Sequence, residues 1–342
     1  MFTQERTWTR LARRLSTPLL PEDYVGLVDP LVGSSSLRTR VVDVRPEAAG
    51  ATTLVLQPGQ GWTGHRAGQY VRLGVEVDGV LHWRSYSLTA PPRPDGRLTV
   101  TVGHVPGGRV SAVLAATAPG RVLRLEPAAG DFVLDDAPRL LFLTGGTGLT
   151  PVMGMLRELA GRRDVVVVHS ARTRDHVLFA DELRALPAVR LLERHTDVDG
   201  LLAPEDLDAL VPDWRERSSW ACGPAGMLDA LEAHWTAAGL PLRTERFAPA
   251  RTAVPGAVGG TVAFTRSGTT VQADGGTALL DAGEGAGVLL PSGCRMGICF
   301  GCVVPLLDGQ VRDVRTGAVH GEPGDLVQTC ISAPCGDVDL DA

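Results

Sequence analysis

The sequence predicts a multidomain chain in which an antiparallel β-barrel is followed by a doubly wound parallel α/β domain and then by a small α+β domain. Three observations predict this order. Short Val-, Leu- and Thr-rich runs separated by Gly and Pro fill residues 37–137, apolar strands alternate with helical segments over 138–248, and five of the six cysteines follow residue 260. A chain of 342 residues has room for about two or three domains, each with its own core.

The composition is that of a globular protein, with 44% hydrophobic and 21% charged residues, both ordinary values. The longest apolar runs, such as 140–143 and 165–168, are far shorter than the roughly 20 residues of a membrane-spanning helix. The N-terminus has neither the sustained apolar stretch nor the cleavage site of a secretory signal. We therefore expect a soluble protein of the reducing cytoplasm, in which clustered cysteines bind a metal or cluster instead of forming disulfides.

The net charge of −6 lies entirely in the C-terminal segment. Residues 257–342 contain ten acidic residues and four arginines, whereas residues 1–256 contain 29 residues of each sign. An acidic surface attracts basic proteins, and it argues against nucleic acid as a partner. The sequence predicts that carboxylates such as Asp308, Asp313, Glu322 and Asp325 present a negative face to a basic protein.

Residues 1–36 are predicted to form an N-terminal helical leader. Apolar residues recur there at helical spacing among arginines, until Pro18 and Pro21 interrupt the pattern. Such a stripe fits either a helix packed on the following domain or a helix whose residues 1–20 lie on an anionic membrane. Both interpretations stay open, so we expect a cytoplasmic protein that is either free or membrane-associated.

Residues 37–137 contain six short strand-like runs with turn residues between them. These runs are 39–44, 52–56, 70–77, 85–88, 98–102 and 121–125. Several short strands at this spacing are typical of a small antiparallel barrel.

Residues 138–248 alternate between strands and helices. The strands are 140–143, 165–168, 189–193 and 219–222, and the helical segments are 151–159, 179–186 and 227–238. This alternation predicts a doubly wound parallel sheet. An Ala-, Pro- and Gly-rich linker over 249–260 then leads to the C-terminal domain, residues 261–342.

The cysteines carry the most specific signal. Cys294, Cys299 and Cys302 form C-x4-C-x2-C, and Cys330 follows 28 residues later. This is the plant-type ferredoxin spacing, in which four thiolates bind a [2Fe–2S] cluster. The alternative is a zinc ribbon, but such sites usually have two C-x2-C pairs, and only one is present here. Cys335 lies outside the pattern, and we interpret it as a small buried residue.

Two segments of the predicted barrel fit a flavin. In the strand Arg84-Ser85-Tyr86-Ser87-Leu88, the arginine suits a pyrophosphate, the tyrosine face suits an isoalloxazine ring, and the serine suits flavin N5. The second segment, 107–111, provides glycines and free N–H groups at the start of a helix, which suit a phosphate. The predicted flavin-binding residues are Arg84, Tyr86, Ser87, Leu88, Gly108, Arg109, Val110 and Ser111. Taken alone, the first segment also fits an ordinary surface strand.

A glycine turn follows the first strand of the α/β domain and opens a helix, which is where a phosphate-binding loop is expected. Its predicted nucleotide-binding residues are Gly145, Gly146, Thr147, Gly148 and Thr150. The turn departs from G-x-G-x-x-G. Cys222-Gly223-Pro224 ends a later strand at the edge of the sheet where ligands bind, although Cys222 alone also fits a core position.

The turn after the second strand of this domain indicates the coenzyme. Ser170, Arg172 and Arg174 lie there, and no acidic residue precedes Asp175. A serine hydroxyl and arginines suit the 2′-phosphate of NADPH, whereas NADH is usually recognised by an acidic residue. The sequence therefore favours NADPH and leaves NADH as the alternative.

The motifs occur in the order found in the ferredoxin–NADP reductase superfamily: Arg84-x-Tyr86-Ser87, Gly108-x-Val110-Ser111, the turn from Gly145 to Pro151, and Cys222-Gly223-Pro224. From about residue 37 to the C-terminus, the chain resembles this family. With its C-terminal ferredoxin domain it looks most like bacterial flavin reductases that feed acyl desaturases and oxygenases. The resemblance implies FAD in the barrel, or FMN as in the phthalate dioxygenase reductase branch, a β-grasp C-terminal domain, and Cys222 beside the nicotinamide.

A hydride carries two electrons and a [2Fe–2S] cluster accepts one, so a flavin is expected between them. We expect Ser87 and Cys222 to flank the hydride path and Tyr86 and Phe247 to pack on the flavin. The electrons then leave for a separate protein such as a desaturase, hydroxylase, oxygenase or cytochrome P450.

Two other functions were weighed. The first is a ferredoxin-like iron–sulfur sensing or binding module without reductase activity, whose visible spectrum would show the cluster alone. The second is a self-contained dehydrogenase acting on a small molecule, for which the sequence offers no further acid–base group.

Overall fold

The computed structural model describes residues 24, 26, 28–32, 36–77, 79–247, 254 and 256–342. Most of the predicted helical leader over residues 1–36 and much of the predicted linker over 249–260 lie outside the described residues. The described strands form three sheets, which correspond in order to the three predicted folds. The domain boundaries predicted at residues 37, 138, 249 and 261 stay predictions.

The first sheet is antiparallel and has the strand order β4-β3-β6-β1-β2-β5. Its elements are β1 (Arg38–Pro46), β2 (Thr52–Pro58), β3 (Tyr70–Val77), β4 (Val80–Ser87), β5 (Leu98–Val102), helix α1 (Arg109–Ala115) and β6 (Val122–Leu125). A single bridge between Leu88 and Val100 joins the two ends of this order, so the sheet closes there into the predicted barrel, whereas β4 itself has no pairing with β5 among the described strands and remains an edge strand. Alternate side chains such as Val41, Leu54 and Leu73 fill its interior.

The second sheet is parallel, with the strand order β11-β10-β7-β8-β9. Its elements are β7 (Arg139–Gly145), α2 (Leu149–Leu159), β8 (Asp164–Ala171), α3 (Ala180–Ala185), β9 (Val189–His195), α4 (Leu207–Leu210), β10 (Ser218–Cys222), α5 (Ala225–Ala237) and β11 (Leu242–Glu245). Apolar clusters cover both of its faces, which confirms the doubly wound prediction. Strand β11 is an additional strand that the sequence analysis missed.

The third sheet has the strand order β13-β12-β17-β14-β15, and β16 pairs with β14. Its elements are β12 (Gly260–Phe264), β13 (Thr269–Ala273), α6 (Leu279–Gly285), β14 (Val303–Asp313), β15 (Val319–His320), β16 (Leu326–Gln328) and β17 (Ser332–Leu340). Leu279 and Leu280 of α6 pack with Phe264 in one core, which confirms the α+β prediction. Among the described helices of all three domains, none combines the length and apolar character needed to cross a membrane.

Candidate functional site

A cavity of about 340 Å³ lies at the carboxyl edge of the parallel sheet. Two predicted nucleotide motifs meet there because β7 and β10 are adjacent parallel strands, with Thr144 opposite Cys222. The cavity is lined by Gly145, Gly146, Thr147, Gly148, Gly223, Pro224, Ala225, Leu228, Arg246 and Phe247. Phe247, which was predicted to pack on the flavin, is 45% exposed at this cavity.

The glycine turn needs glycine because two loops approach closely at this cavity. A Cβ on Gly148 would lie 2.0 Å from the carbonyl oxygen of Cys222, and a Cβ on Gly145 would lie 2.7 Å from Cδ of Pro224. The Thr150 hydroxyl donates a hydrogen bond to the carbonyl of Thr147 (2.9 Å) and so fixes the start of α2. The turn that leads into this helix, Gly145 to Gly148, lines the cavity, and the start of a helix suits a phosphate.

Ser87 of the barrel and Cys222 of the parallel sheet meet at a third residue, Glu245. The Ser87 hydroxyl donates to a carboxylate oxygen of Glu245 at 3.4 Å, and Cys222 lies opposite Glu245 in the pairing of β10 with β11. Loss of hydration raises the pKa of Glu245 to about 8, with a smaller contribution from Asp131. Burial raises the pKa of the Cys222 thiol above its ordinary range.

The sequence analysis missed Glu245 because it missed β11. That strand has only four residues, and the single available signal was the turn residues Gly239 and Pro241 between the preceding helix and Leu242.

Strand β4 presents Arg84 and Tyr86. The Arg84 guanidinium donates to the carbonyl of Trp83 (2.9 Å) and to the Ser292 hydroxyl (3.1 Å). Among the described residues, it has no carboxylate partner within ion-pair distance. Burial and the charge of Arg295 lower the pKa of Arg84 to about 10, and burial raises the pKa of Tyr86 to about 12. A largely buried cation without an acidic partner fits a flavin phosphate.

The second predicted flavin segment starts α1. Desolvation lowers the pKa of His82, and the positive charges of Arg84 and Arg109 lower it further. The charges of Arg84 and Arg109 therefore both reach the region around His82. The Ser111 hydroxyl donates to the carbonyl of Gly108 (3.1 Å). Val110 and Leu88 are buried in the barrel core, and the Leu88 N–H donates to the carbonyl of Gln69. Both side chains therefore belong to the barrel core, and their predicted contact with the flavin stays a prediction.

The predicted coenzyme residues follow β8. The Ser170 hydroxyl is buried and has no hydrogen-bond partner within the described residues. Arg172 and Arg174 are exposed, and neither forms an ion pair with a described acidic residue. These hydrogen-bond donors fit the 2′-phosphate that distinguishes NADPH from NADH.

The four predicted cluster ligands form two pairs. The Cys294 N–H donates to the Cys299 sulfur (3.1 Å), and the Gly301 N–H donates to the same sulfur (3.3 Å). Cys302 lies beside Cys330, whose thiol hydrogen bond lowers the pKa of Cys302 to about 6.

This pairing fits a two-iron cluster. A zinc ribbon would instead gather its four ligands around one ion. Two pairs of thiolates suit two irons that share bridging sulfides. Cys335 is half-buried and its sulfur accepts a hydrogen bond from Arg312 at 3.2 Å, so it is not the buried core residue expected.

Three family models match the chain. An oxidoreductase FAD-binding domain matches residues 52–134, an oxidoreductase NAD-binding domain matches 142–206, and a 2Fe-2S iron-sulfur cluster binding domain matches 262–335. These matches, with the pairs of cysteines described above, support FAD, a pyridine nucleotide and a [2Fe–2S] cluster as the cofactors.

Similar proteins are reductases. An NADPH oxidoreductase of Mycobacterium tuberculosis is 50% identical, over 97% of this chain and 91% of its own. The glycine betaine monooxygenase reductase subunit of Pseudomonas aeruginosa is 31% identical, over 81% of this chain and 87% of its own. The NADH oxidoreductase HCR of Escherichia coli is 33% identical, over 81% and 88%.

Two solved structures share the fold. Phthalate dioxygenase reductase has a TM-score of 0.62 at 23% identity and covers 90% of this chain and 98% of its own. An intact type IV self-sufficient cytochrome P450 monooxygenase has a TM-score of 0.57 at 27% identity, covering 90% of this chain and 41% of its own.

Proposed function

The chain belongs to the ferredoxin–NADP reductase superfamily, as an NAD(P)H-dependent oxidoreductase with a C-terminal [2Fe–2S] domain, and we propose that it carries electrons from NADPH to an oxygen-activating protein. The meeting of Ser87, Cys222 and Glu245 beside the nucleotide cavity is the observation that carries this proposal. It supports a hydride path between the parallel sheet and the barrel. When bound, the flavin and the cluster together supply the conversion of a hydride into single electrons.

The residues of the chain bind and orient these groups. Arg84 and Arg109 would hold the flavin phosphate, Tyr86 would pack on the ring, and Ser87 and Cys222 would border the path of the hydride. Glu245, with its pKa of about 8, keeps a proton at neutral pH on its carboxyl. Glu245 therefore holds a proton beside the Ser87 hydroxyl, which donates a hydrogen bond to it. This proton is available for exchange during turnover.

Ser170, Arg172 and Arg174 select NADPH over NADH. Within the part of the chain that the structure describes, the buried Ser170 hydroxyl has no hydrogen-bond partner and the two arginines form no ion pair; both observations support this choice, as does the 50% identical relative named NADPH oxidoreductase. The relative named NADH oxidoreductase makes NADH the alternative.

The acceptor is a separate protein, and the relatives named as monooxygenase reductase subunits favour an oxygenase or a hydroxylase. A desaturase or cytochrome P450 uses single electrons in the same way. The acidic charge of the third domain supports an acceptor protein that has a basic docking face. Asp308, Glu322 and Asp325 are exposed, whereas Asp313, predicted to belong to this face, is engaged by Arg315 at 2.7 Å. Residues 1–20 either pack on the barrel or add a peripheral membrane contact, and their sequence fits both.

Steady-state kinetics with both coenzymes test the proposal. Purified protein is expected to contain about two irons and one flavin per chain and to reduce ferricyanide with a higher kcat/KM for NADPH than for NADH. An equal or higher kcat/KM for NADH refutes the coenzyme choice. A visible spectrum with cluster bands alone, together with no NADPH oxidation, supports the sensing-module alternative.

A further inference from the structure

The cluster loop of the third domain lies against the edge of the flavin barrel. Strand β4 is at one end of the barrel's strand order, and its residue His82 forms a parallel bridge with Ser292. The Trp83 N–H donates to the Ser292 carbonyl at 3.2 Å. An edge strand offers unpaired backbone groups, and here a segment 210 residues away in the chain uses them.

Side chains reinforce this backbone contact. The Ser292 hydroxyl lies 2.9 Å from His82 Nδ1 and accepts a hydrogen bond from Arg84 (3.1 Å). Both bonds are satisfied when the Ser292 hydroxyl donates to the histidine and accepts from the arginine. His82 is only 4% exposed and Ser292 only 2%, so water cannot readily replace these bonds.

Ser292 occupies a position that connects two cofactor sites. It lies two residues before the cluster ligand Cys294, and its hydroxyl contacts Arg84, the residue assigned above to the flavin phosphate. A single buried hydroxyl thus joins the segment that carries the cluster to the side chain that binds the flavin.

We propose that the contact of His82, Arg84 and Ser292 docks the cluster loop on the flavin barrel, and that flavin binding at Arg84 strengthens this docking. His82 is a positioning residue in this arrangement. The second half of the inference rests on the proposed role of Arg84, whereas the first half rests on the His82–Ser292 contact alone. Docking would hold the predicted cluster loop next to the predicted flavin site for electron transfer, and it makes or breaks no covalent bond.

Three variants of the full chain test the docking. His82→Phe keeps a ring but removes the hydrogen bond, and His82→Asn keeps a side-chain acceptor. His320→Phe changes an exposed histidine on β15 and is the matched control. Amide hydrogen exchange is measured by mass spectrometry in peptides that cover residues 80–88 and 288–294, because it reports local opening.

In His82→Phe, we expect exchange in both peptides about tenfold faster than in the wild type, equivalent to about 1.4 kcal/mol. His82→Asn and His320→Phe are expected to remain near wild type. Stopped-flow mixing with NADPH is expected to show a wild-type rate of flavin reduction in His82→Phe and a cluster reduction slowed about tenfold. Unchanged exchange in both peptides of His82→Phe overturns the docking contact.

The dependence on flavin is tested by removing flavin from the wild type and adding FAD back. Slower exchange at 288–294 after FAD addition is expected, and no change overturns the coupling. Full flavin retention by Arg84→Ala refutes the assigned role of Arg84 and leaves the His82→Phe result to decide the docking. If His82→Phe loses iron or fails to fold, Ser292→Ala, which removes only one hydroxyl, is measured in the same way.

Discussion

Glu245 is expected to make the stability of the protein depend on pH. Loss of hydration raises its pKa from 4.5 to about 8 in the folded chain, whereas the unfolded chain has the ordinary value. The folded state therefore binds more protons than the unfolded state between pH 4.5 and about 8, and the free energy of unfolding falls as the pH rises through this window. The glutamine of Glu245→Gln cannot ionise. The free energy of unfolding of this variant is therefore not expected to fall through this pH window.

The size of the effect follows from the width of the window. The window is about 3.5 pH units wide, so at about 1.36 kcal/mol per pH unit it corresponds to roughly 4.8 kcal/mol. The Glu245 side chain is only half-buried, so solvent weakens the effect. We therefore halve the free energy to about 2 kcal/mol. For a domain of 150–250 residues, about 2 kcal/mol changes Tm by roughly 4–8 °C.

Thermal unfolding of the wild type and Glu245→Gln between pH 5 and pH 8.5 measures this difference. The Tm of the variant relative to the wild type is expected to rise by roughly 4–8 °C across that range. Glu76→Gln, which changes an exposed glutamate on β3, is the matched control and is expected to show no such rise. Parallel Tm profiles for the wild type and Glu245→Gln would refute the reasoning.

Replacing any of the four cluster cysteines by Ser is expected to abolish the iron signal and to spare NADPH-driven reduction of ferricyanide, whereas Cys335→Ser keeps the cluster; the reverse pattern contradicts the ligand assignment. Arg84→Ala is expected to weaken flavin binding about 10- to 150-fold, since a hydrogen bond to a charged group contributes roughly 1.5–3 kcal/mol, and fluorescence titration measures this. Changing Arg172 and Arg174 together to Gln is expected to raise the KM for NADPH about 10- to 100-fold and to spare NADH; an equal effect on both coenzymes argues against phosphate recognition. Deleting residues 1–20 distinguishes the two interpretations of the leader: lost binding to anionic vesicles at unchanged Tm supports the membrane contact, while lost stability without vesicle binding by the intact chain supports a packed helix.

Short-range patterns determined the cofactors. The cluster loop could be predicted because three of its four ligands lie within nine residues, so their spacing alone sets the geometry of the loop. The glycine turn was equally predictable because a strand, a turn and a helix follow one another directly. In both cases the chemistry is local, and distant parts of the chain add little to it.

The tertiary structure alone decided which residues meet. Glu245 became visible only because β11 pairs with β10 and places it opposite Cys222, and four residues carry too little periodicity to predict such a strand. The docking of Ser292 on β4 likewise depends on an edge strand left open by the barrel, and no local pattern encodes a contact across 210 residues. The sequence by itself predicted the three folds, which the structure confirms, and it supplied the cluster, flavin and nucleotide motifs, whose residue roles stay predictions. Pairing between distant segments decided which residues surround the proposed hydride path and where the cluster loop contacts β4, because the open backbone groups of an edge strand can pair with any segment that the rest of the fold brings to them.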